Sequence, residues 1–131
     1  EMAKNALEKN SQIFPALPQA SLLHMDIWAQ NILVNTEGEI TAILDWDRAL
    51  WGDPEIEFAV LKYCGFDNTA FWEGYGDSPV RDEAFMMRAH FYLLYEIQKY
   101  LVIWTLRNPN PRAVDEYRRH SLSLLNRLFA G

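Results

Sequence analysis

A mostly helical α+β fold is what this sequence predicts, and three observations predict it. Apolar residues recur at helical spacing over four stretches: Met2 to about Ile13, the run after Asp53-Pro54, about Val80 to Arg107, and Pro111 to about Phe129. A β-branched run, Ile32-Leu33-Val34, is joined to a second, Ile40-Thr41-Ala42-Ile43-Leu44, by Asn35-Thr36-Glu37-Gly38. That connection has turn composition, so the two runs read as one small hairpin. Of the 131 residues 50% are hydrophobic and 14% aromatic, enough to build one folded lobe and too many for a disordered chain.

Each element has its own signals. The first helix ends before Phe14-Pro15-Ala16-Leu17-Pro18, a stiff connection. Asp53 is an N-cap with Pro54 at the first helical position; Ile56, Phe58, Ala59, Val60, Leu61 and Tyr63 fill that helix, and Gly65 stops it. A short helical piece from about Ala70 to Tyr75 leads to a break at Gly76-Asp77-Ser78-Pro79. In the long run that follows, the apolar face spreads nearly around the helix and predicts a central, buried element. Arg88, His90, Glu96, Gln98 and Lys99 interrupt it too often for a membrane span. Asn108-Pro109-Asn110-Pro111 ends it, and Val114, Tyr117, Leu122, Leu125 and Leu128 give the last helix its packing face.

Charge and cysteine content narrow the class. Twelve Lys and Arg against eighteen Asp and Glu leave a net charge of −6, which argues against nucleic acid as a partner. Asp67, Glu73, Asp77, Asp82 and Glu83 cluster around the connection after the Asp53 helix, and an acidic surface there would favour a cationic small molecule. A solvated acidic face is the competing account of the same residues. A single cysteine, Cys64, excludes an intrachain disulfide, so a reducing compartment, the cytoplasm, is the simplest setting.

Chemistry concentrates between His24 and Asp47. The pattern H-x-D-x-x-x-x-N, His24-Met25-Asp26 through Asn31, places a carboxylate and an amide oxygen on one loop immediately before the hairpin. A hairpin brings its two ends together, so Asn31 before the first strand and Asp45 after the second must be neighbours. An amide oxygen and a carboxylate converging there suit Mg²⁺, which takes oxygen ligands and keeps positions for water and substrate phosphates. Asp26 is then left to orient a hydroxyl and accept its proton during phosphoryl transfer. Taken singly, each residue also reads as a turn former or a cap. His24 reads as a hydrogen-bonded organiser of the loop, and Asp47 as support for the metal shell or a partner of Arg48.

From Leu22 to Val60 the chain resembles the aminoglycoside phosphotransferase and choline kinase-like family, small-molecule kinases related to the protein kinases. The family pattern H-G-D-x-x-x-x-N, a hairpin, D-W-[DE] and G-D-P-x-x-D is matched by His24-Met25-Asp26, Asn31, Asp45-Trp46-Asp47 and Gly52-Asp53-Pro54-Glu55-Ile56-Glu57. Two positions depart from it: Met25 stands where the family has glycine, and Glu57 where it commonly has aspartate, at a position that braces the catalytic loop. The resemblance implies a protein-kinase-like C-terminal lobe over residues 1–131, with ATP and Mg²⁺ as cofactors, GTP remaining open as donor, and a small-molecule hydroxyl as acceptor. It implies Asp26 as catalytic base, Asn31 and Asp45 as metal ligands, and His24 and Glu57 as loop supports. Trp72, Glu73 and Asp77 are candidate acceptor contacts.

The resemblance also implies a partner that these residues do not supply. A kinase of this type needs a nucleotide-covering loop and a strand lysine, and neither a Gly-rich loop nor a lysine in an apolar strand pattern occurs here. The expectation is a C-terminal lobe cut from a longer chain, inactive without its N-terminal nucleotide lobe. Two rival readings stand beside it. His24, Asp26, Asp45 and Asp47 would make a metal-dependent phosphoester hydrolase if the imidazole were a ligand. A degenerate kinase-like lobe kept for protein interaction is the other, with Met25 and Glu57 as its signs of drift.

Overall fold

Helix caps and turn residues, more than propensity, set where the elements begin and end. The computed structural model describes residues 2–16, 19–76 and 78–129. Its contacts divide the chain into two compact units, one of residues 1–16 with 79–131 and one of residues 17–78.

The first unit is helical. Helix α1 spans Met2–Lys9, shorter than the periodicity predicts: the Asn10 side chain donates to the Ala6 carbonyl at 2.9 Å, and the chain tightens into a 3₁₀ turn over Ser11–Ile13. The long helix, Glu83–Val102, starts three residues later than the apolar pattern suggests because Asp82 caps it, its Oδ1 accepting from the Phe85 N–H at 2.7 Å. It runs on as a π-helical turn, Ile103–Arg107. There the Asn108 N–H reaches back to the Ile103 carbonyl at 2.9 Å, and the prolines at 109 and 111 have no N–H with which to continue. The last helix spans Pro111–Phe129. Ala6, Phe91, Leu94, Ile97, Leu124, Leu125 and Leu128 form the buried core between these helices. Phe14 meets Phe91 and Tyr92 edge-on, and Tyr100 stacks on Tyr117 at 5.0 Å.

The second unit carries the motif. The predicted hairpin is present as an antiparallel pair, Ile32–Val34 and Ile40–Ile43, with Ile32 opposite Ile43 and a bulge after Leu33. Asn35 builds its turn, its Oδ1 accepting from the N–H groups of Glu37 and Glu39, and Gly38 supplies the left-handed residue at φ 86°. A second ribbon, not predicted, pairs Ser21–Leu23 with Leu50–Gly52. Three-residue strands carry too few alternations to show a period. In chain order the strands are therefore β1 (Ser21–Leu23), β2 (Ile32–Val34), β3 (Ile40–Ile43) and β4 (Leu50–Gly52).

Helix α2, Pro54–Tyr63, follows β4 directly, capped by Asp53, whose Oδ1 accepts from the Glu55 N–H at 2.9 Å. It stops at Gly65, φ 80°, where the Phe66 N–H closes on the Leu61 carbonyl at 2.9 Å. Helix α3 is Thr69–Tyr75, capped by Asn68. The long and last helices of the first unit are α4 and α5. The result is the α+β, mostly helical fold expected, and among the described residues no helix is long and apolar enough to cross a membrane.

Candidate active site

The loop from His24 to Asn31 leaves β1 and enters β2, so the two ribbons hold its ends. Its first residues are sealed in: His24 and Met25 are buried. Met25 sits at φ 65°, the left-handed region that costs a side chain other than glycine about 1–2 kcal/mol. Both peptide groups around it are fastened. Glu57, in the first turn of α2, accepts from the His24 N–H at 3.2 Å with Oε2 and from the Met25 N–H at 2.8 Å with Oε1. Arg48 donates from Nη1 to the Met25 carbonyl at 2.8 Å. These contacts hold a strained conformation that the loop would not keep by itself.

His24 spends both ring nitrogens on the backbone. Nε2 lies 2.7 Å from the Leu44 carbonyl, which only accepts, so Nε2 carries the proton; Nδ1 then accepts from the Asp26 N–H at 3.2 Å. The Trp46 ring closes on the imidazole edge-on at 4.6 Å. His24 thus ties the Asp26 loop to the far end of the hairpin and has no nitrogen to spare for a metal.

The oxygen-bearing residues converge around that tie. The Leu44 N–H donates to the Asn31 carbonyl at 2.8 Å, closing the hairpin where the sequence places its open end. Asn31, buried, turns Nδ2 to the Asp26 carbonyl at 2.9 Å and to Asp26 Oδ2 at 3.3 Å, which presents the amide oxygen as its other end. Asp26 Oδ1 lies 3.4 Å from Arg48 Nη1, with the two side chains 27% and 25% exposed.

Asp45 is the second non-glycine residue at positive φ, 64°, and it hydrogen-bonds Asp47. That hydrogen bond and the charge of Asp47, then desolvation and the charge of Asp26, push its carboxyl above the ordinary aspartate value of 3.8. Asp47 and Asp26 thus both act on Asp45, with the arginine engaged on Asp26. Such an oxygen-rich, electronegative donor set fits a hard divalent cation. Among the described residues no three His, Cys, Asp or Glu side chains are grouped to hold a metal, so a cation here would rest on the amide oxygen of Asn31 and the Asp45 carboxylate.

A model of the family described as fructosamine kinase matches residues 2–111, most of the chain. The chain belongs to the fructosamine kinase family. A "Probable ketoamine kinase" of Vibrio vulnificus is 33% identical over 81 residues, 61% of this chain and 27% of that protein. A "Protein-ribulosamine 3-kinase, chloroplastic" of Oryza sativa subsp. indica is 30% identical over 106 residues, 79% of this chain and 30% of its own length. The chain thus spans less than a third of each of these two relatives. The crystal structure of spectinomycin phosphotransferase, APH(9)-Ia, in complex with ADP and spectinomycin shares the fold, with a TM-score of 0.53 and 22% identity over 98% of this chain and 44% of that one. The motifs pointed to a small-molecule kinase family; the family shown is the fructosamine kinase family, and with the aminoglycoside phosphotransferase the chain shares its fold.

The remaining candidates of this fructosamine kinase family member lie on and just after α3, apart from the Asp26 group in the sequence. Trp72 on α3 donates from Nε1 to Asp67 Oδ1 at 2.6 Å and packs among Phe58, Phe71 and Tyr75, with ring centroids 4.9–5.9 Å away. Glu73 is exposed on the same helix, and Asp77 lies outside the described residues. Of the acidic cluster, Asp67 is engaged by the indole and Asp82 by the α4 cap, so part of it has structural work. Arg48 is the residue that sequence reasoning undervalued. From the sequence it reads only as a partner for Asp47, and its place directly after Asp45-Trp46-Asp47 is the available signal.

Proposed function

We propose that this chain is the C-terminal, acceptor-binding part of an ATP-dependent kinase that phosphorylates a hydroxyl of a sugar ketoamine. The carrying observation is the convergence of Asp26, Asn31 and Asp45 at the end of one hairpin, with both His24 nitrogens committed to the backbone. Family membership supports the ketoamine acceptor. Asp26 is the base: its carboxylate is partly exposed and oriented by donors on both oxygens, so it aligns the acceptor hydroxyl and takes its proton as the bond to phosphorus forms. Asn31 and Asp45 would hold Mg²⁺, which when bound neutralises the charge of the transferring phosphoryl group. Glu57 and His24 keep the loop in place. Trp72, Glu73 and Asp77 are proposed to meet the acceptor. Nucleotide-covering groups come from the rest of the full-length protein.

The hydrolase reading loses its main support because it needs the His24 imidazole as a ligand. The test is ATP-dependent phosphate transfer by the full-length protein to a panel of fructosyl- and ribulosyl-amines, aminoglycosides, choline and free sugars. Transfer to a ketoamine, lowered about 10²-fold or more by Asp26→Asn, is the expected result. Turnover of phosphate esters without ATP would support the hydrolase instead. No nucleotide binding at all would support the interaction lobe.

A further inference from the structure

Arg48 reaches two oxygens through one nitrogen. Its Nη1 donates to the Met25 carbonyl at 2.8 Å and lies 3.4 Å from Asp26 Oδ1, while Asn31 Nδ2 approaches Oδ2 of the same carboxylate at 3.3 Å. The two donors flank the hairpin in the chain, Asn31 just before β2 and Arg48 after β3, and meet at the end that the Asn31–Leu44 hydrogen bond closes. A carboxylate on a short side chain turns about two bonds, and one donor on each oxygen fixes both the direction and the plane of the group. The carbonyl that Arg48 also holds belongs to Met25, whose left-handed conformation sets the direction in which Asp26 leaves the backbone.

We infer that Arg48 is a positioning residue for Asp26, fixing the plane of its carboxylate from one side while Asn31 fixes it from the other; this rests on the reading of Asp26 as the base. Arg48 acts through Asp26 and need not touch the acceptor. Its effect therefore belongs to the rate of transfer, and it vanishes when the Asp26 carboxylate is absent.

The test is a double-mutant cycle in the full-length protein, with Mg-ATP and Nα-acetyl-Nε-fructosyl-lysine as acceptor. Arg48→Gln, Asp26→Asn and the double variant are compared with wild type, with thermal melts alongside. Expected is a fall in kcat of about 10–100-fold for Arg48→Gln, the scale of a misplaced catalytic group, with KM for Mg-ATP within about 2-fold. In the Asp26→Asn background the same change should cost less than about 2-fold, because the group it positions is gone. Arg48→Lys, which keeps the charge and loses the planar fork, should fall between the two and serves as the readout where Arg48→Gln does not fold. Equal losses in both backgrounds, or a KM effect with unchanged kcat, would overturn the proposal and leave Arg48 as a brace of the Met25 turn. A wild-type kcat in Asp26→Asn, or no transfer by the wild type, would instead sink the reading of Asp26 itself, and this proposal with it.

Discussion

Met25 and Asp45 sit on the two arms of the site and share an unusual backbone conformation, φ 65° and φ 64°. For aspartate that region is tolerable; for buried methionine it is costly, and the hydrogen bonds that Glu57 accepts and Arg48 donates offset the cost. Asp45 carries a second form of stress, since the Asp47 carboxylate raises its proton affinity. In the window between the ordinary value of 3.8 and its raised folded-state value, the folded protein binds more protons than the unfolded one, so the Asp45 contribution to stability falls as pH rises. Below that window the penalty is absent. Asp45→Asn should therefore raise the thermal midpoint of the metal-free protein at pH 7 and flatten its pH dependence on the acid side. The same variant should lose the stabilisation that added Mg²⁺ gives wild type. Scanning calorimetry across pH, with and without Mg²⁺, reads both, and an unchanged Mg²⁺ response would remove Asp45 from the cation site.

At the scale of elements, α2 ties down the Asp26 loop. Its first turn lies immediately after β4, and β4 pairs with the strand that delivers His24, so Glu57 arrives beside the loop by construction of the ribbon. One carboxylate then satisfies two consecutive N–H groups, 33 and 32 residues away in the chain. The extra methylene relative to aspartate does not prevent both oxygens from reaching. Glu57→Gln keeps the shape and exchanges one acceptor for a donor that faces an N–H. It should cost about 1–3 kcal/mol, measured by urea unfolding, and should lower kcat by loosening the Met25-Asp26 turn. Unchanged stability would mean that the α2 contact is incidental.

For the whole molecule, the distribution of lysines bears on what these residues can do alone. Lys4 and Lys9 lie on α1, Lys62 on α2 and Lys99 on α4; none stands on a strand. On the proposed reading, the phosphate groups of the nucleotide meet their cationic partners in the rest of the full-length protein. The 131 residues by themselves should therefore show no acceptor phosphorylation above background, while the full-length protein does. Radiolabelled transfer from ATP decides this, and turnover by the isolated residues would place the donor site within them.

Much of the fold was legible in the chain. The hairpin, the caps at Asp53, the stop at Gly65 and the helices ending near Tyr63 and Phe129 follow from local rules, because hydrophobic period, N-cap chemistry and turn residues act within a few positions. The hairpin also carried the main inference about the site, since closing it brings Asn31 to Leu44 whatever the rest does.

Long-range partners were not legible from composition and spacing; that Glu57 braces the loop came only from the resemblance. The β1–β4 ribbon joins segments too short to show a period. Glu96 broke the apolar pattern of α4 as a charge, yet it is buried, with Lys99 one turn further on as its ion-pair partner. Met25 looked like a drifted glycine, and only the tertiary contacts show what holds its backbone. Arg48 meets Asp26 across 22 residues of chain, a distance over which composition and spacing say nothing about contact. The sequence by itself determined the elements and the order of the functional residues, because those depend on neighbours along the chain. The tertiary structure decided which charges pair and which strained residues are held, because those depend on neighbours in space.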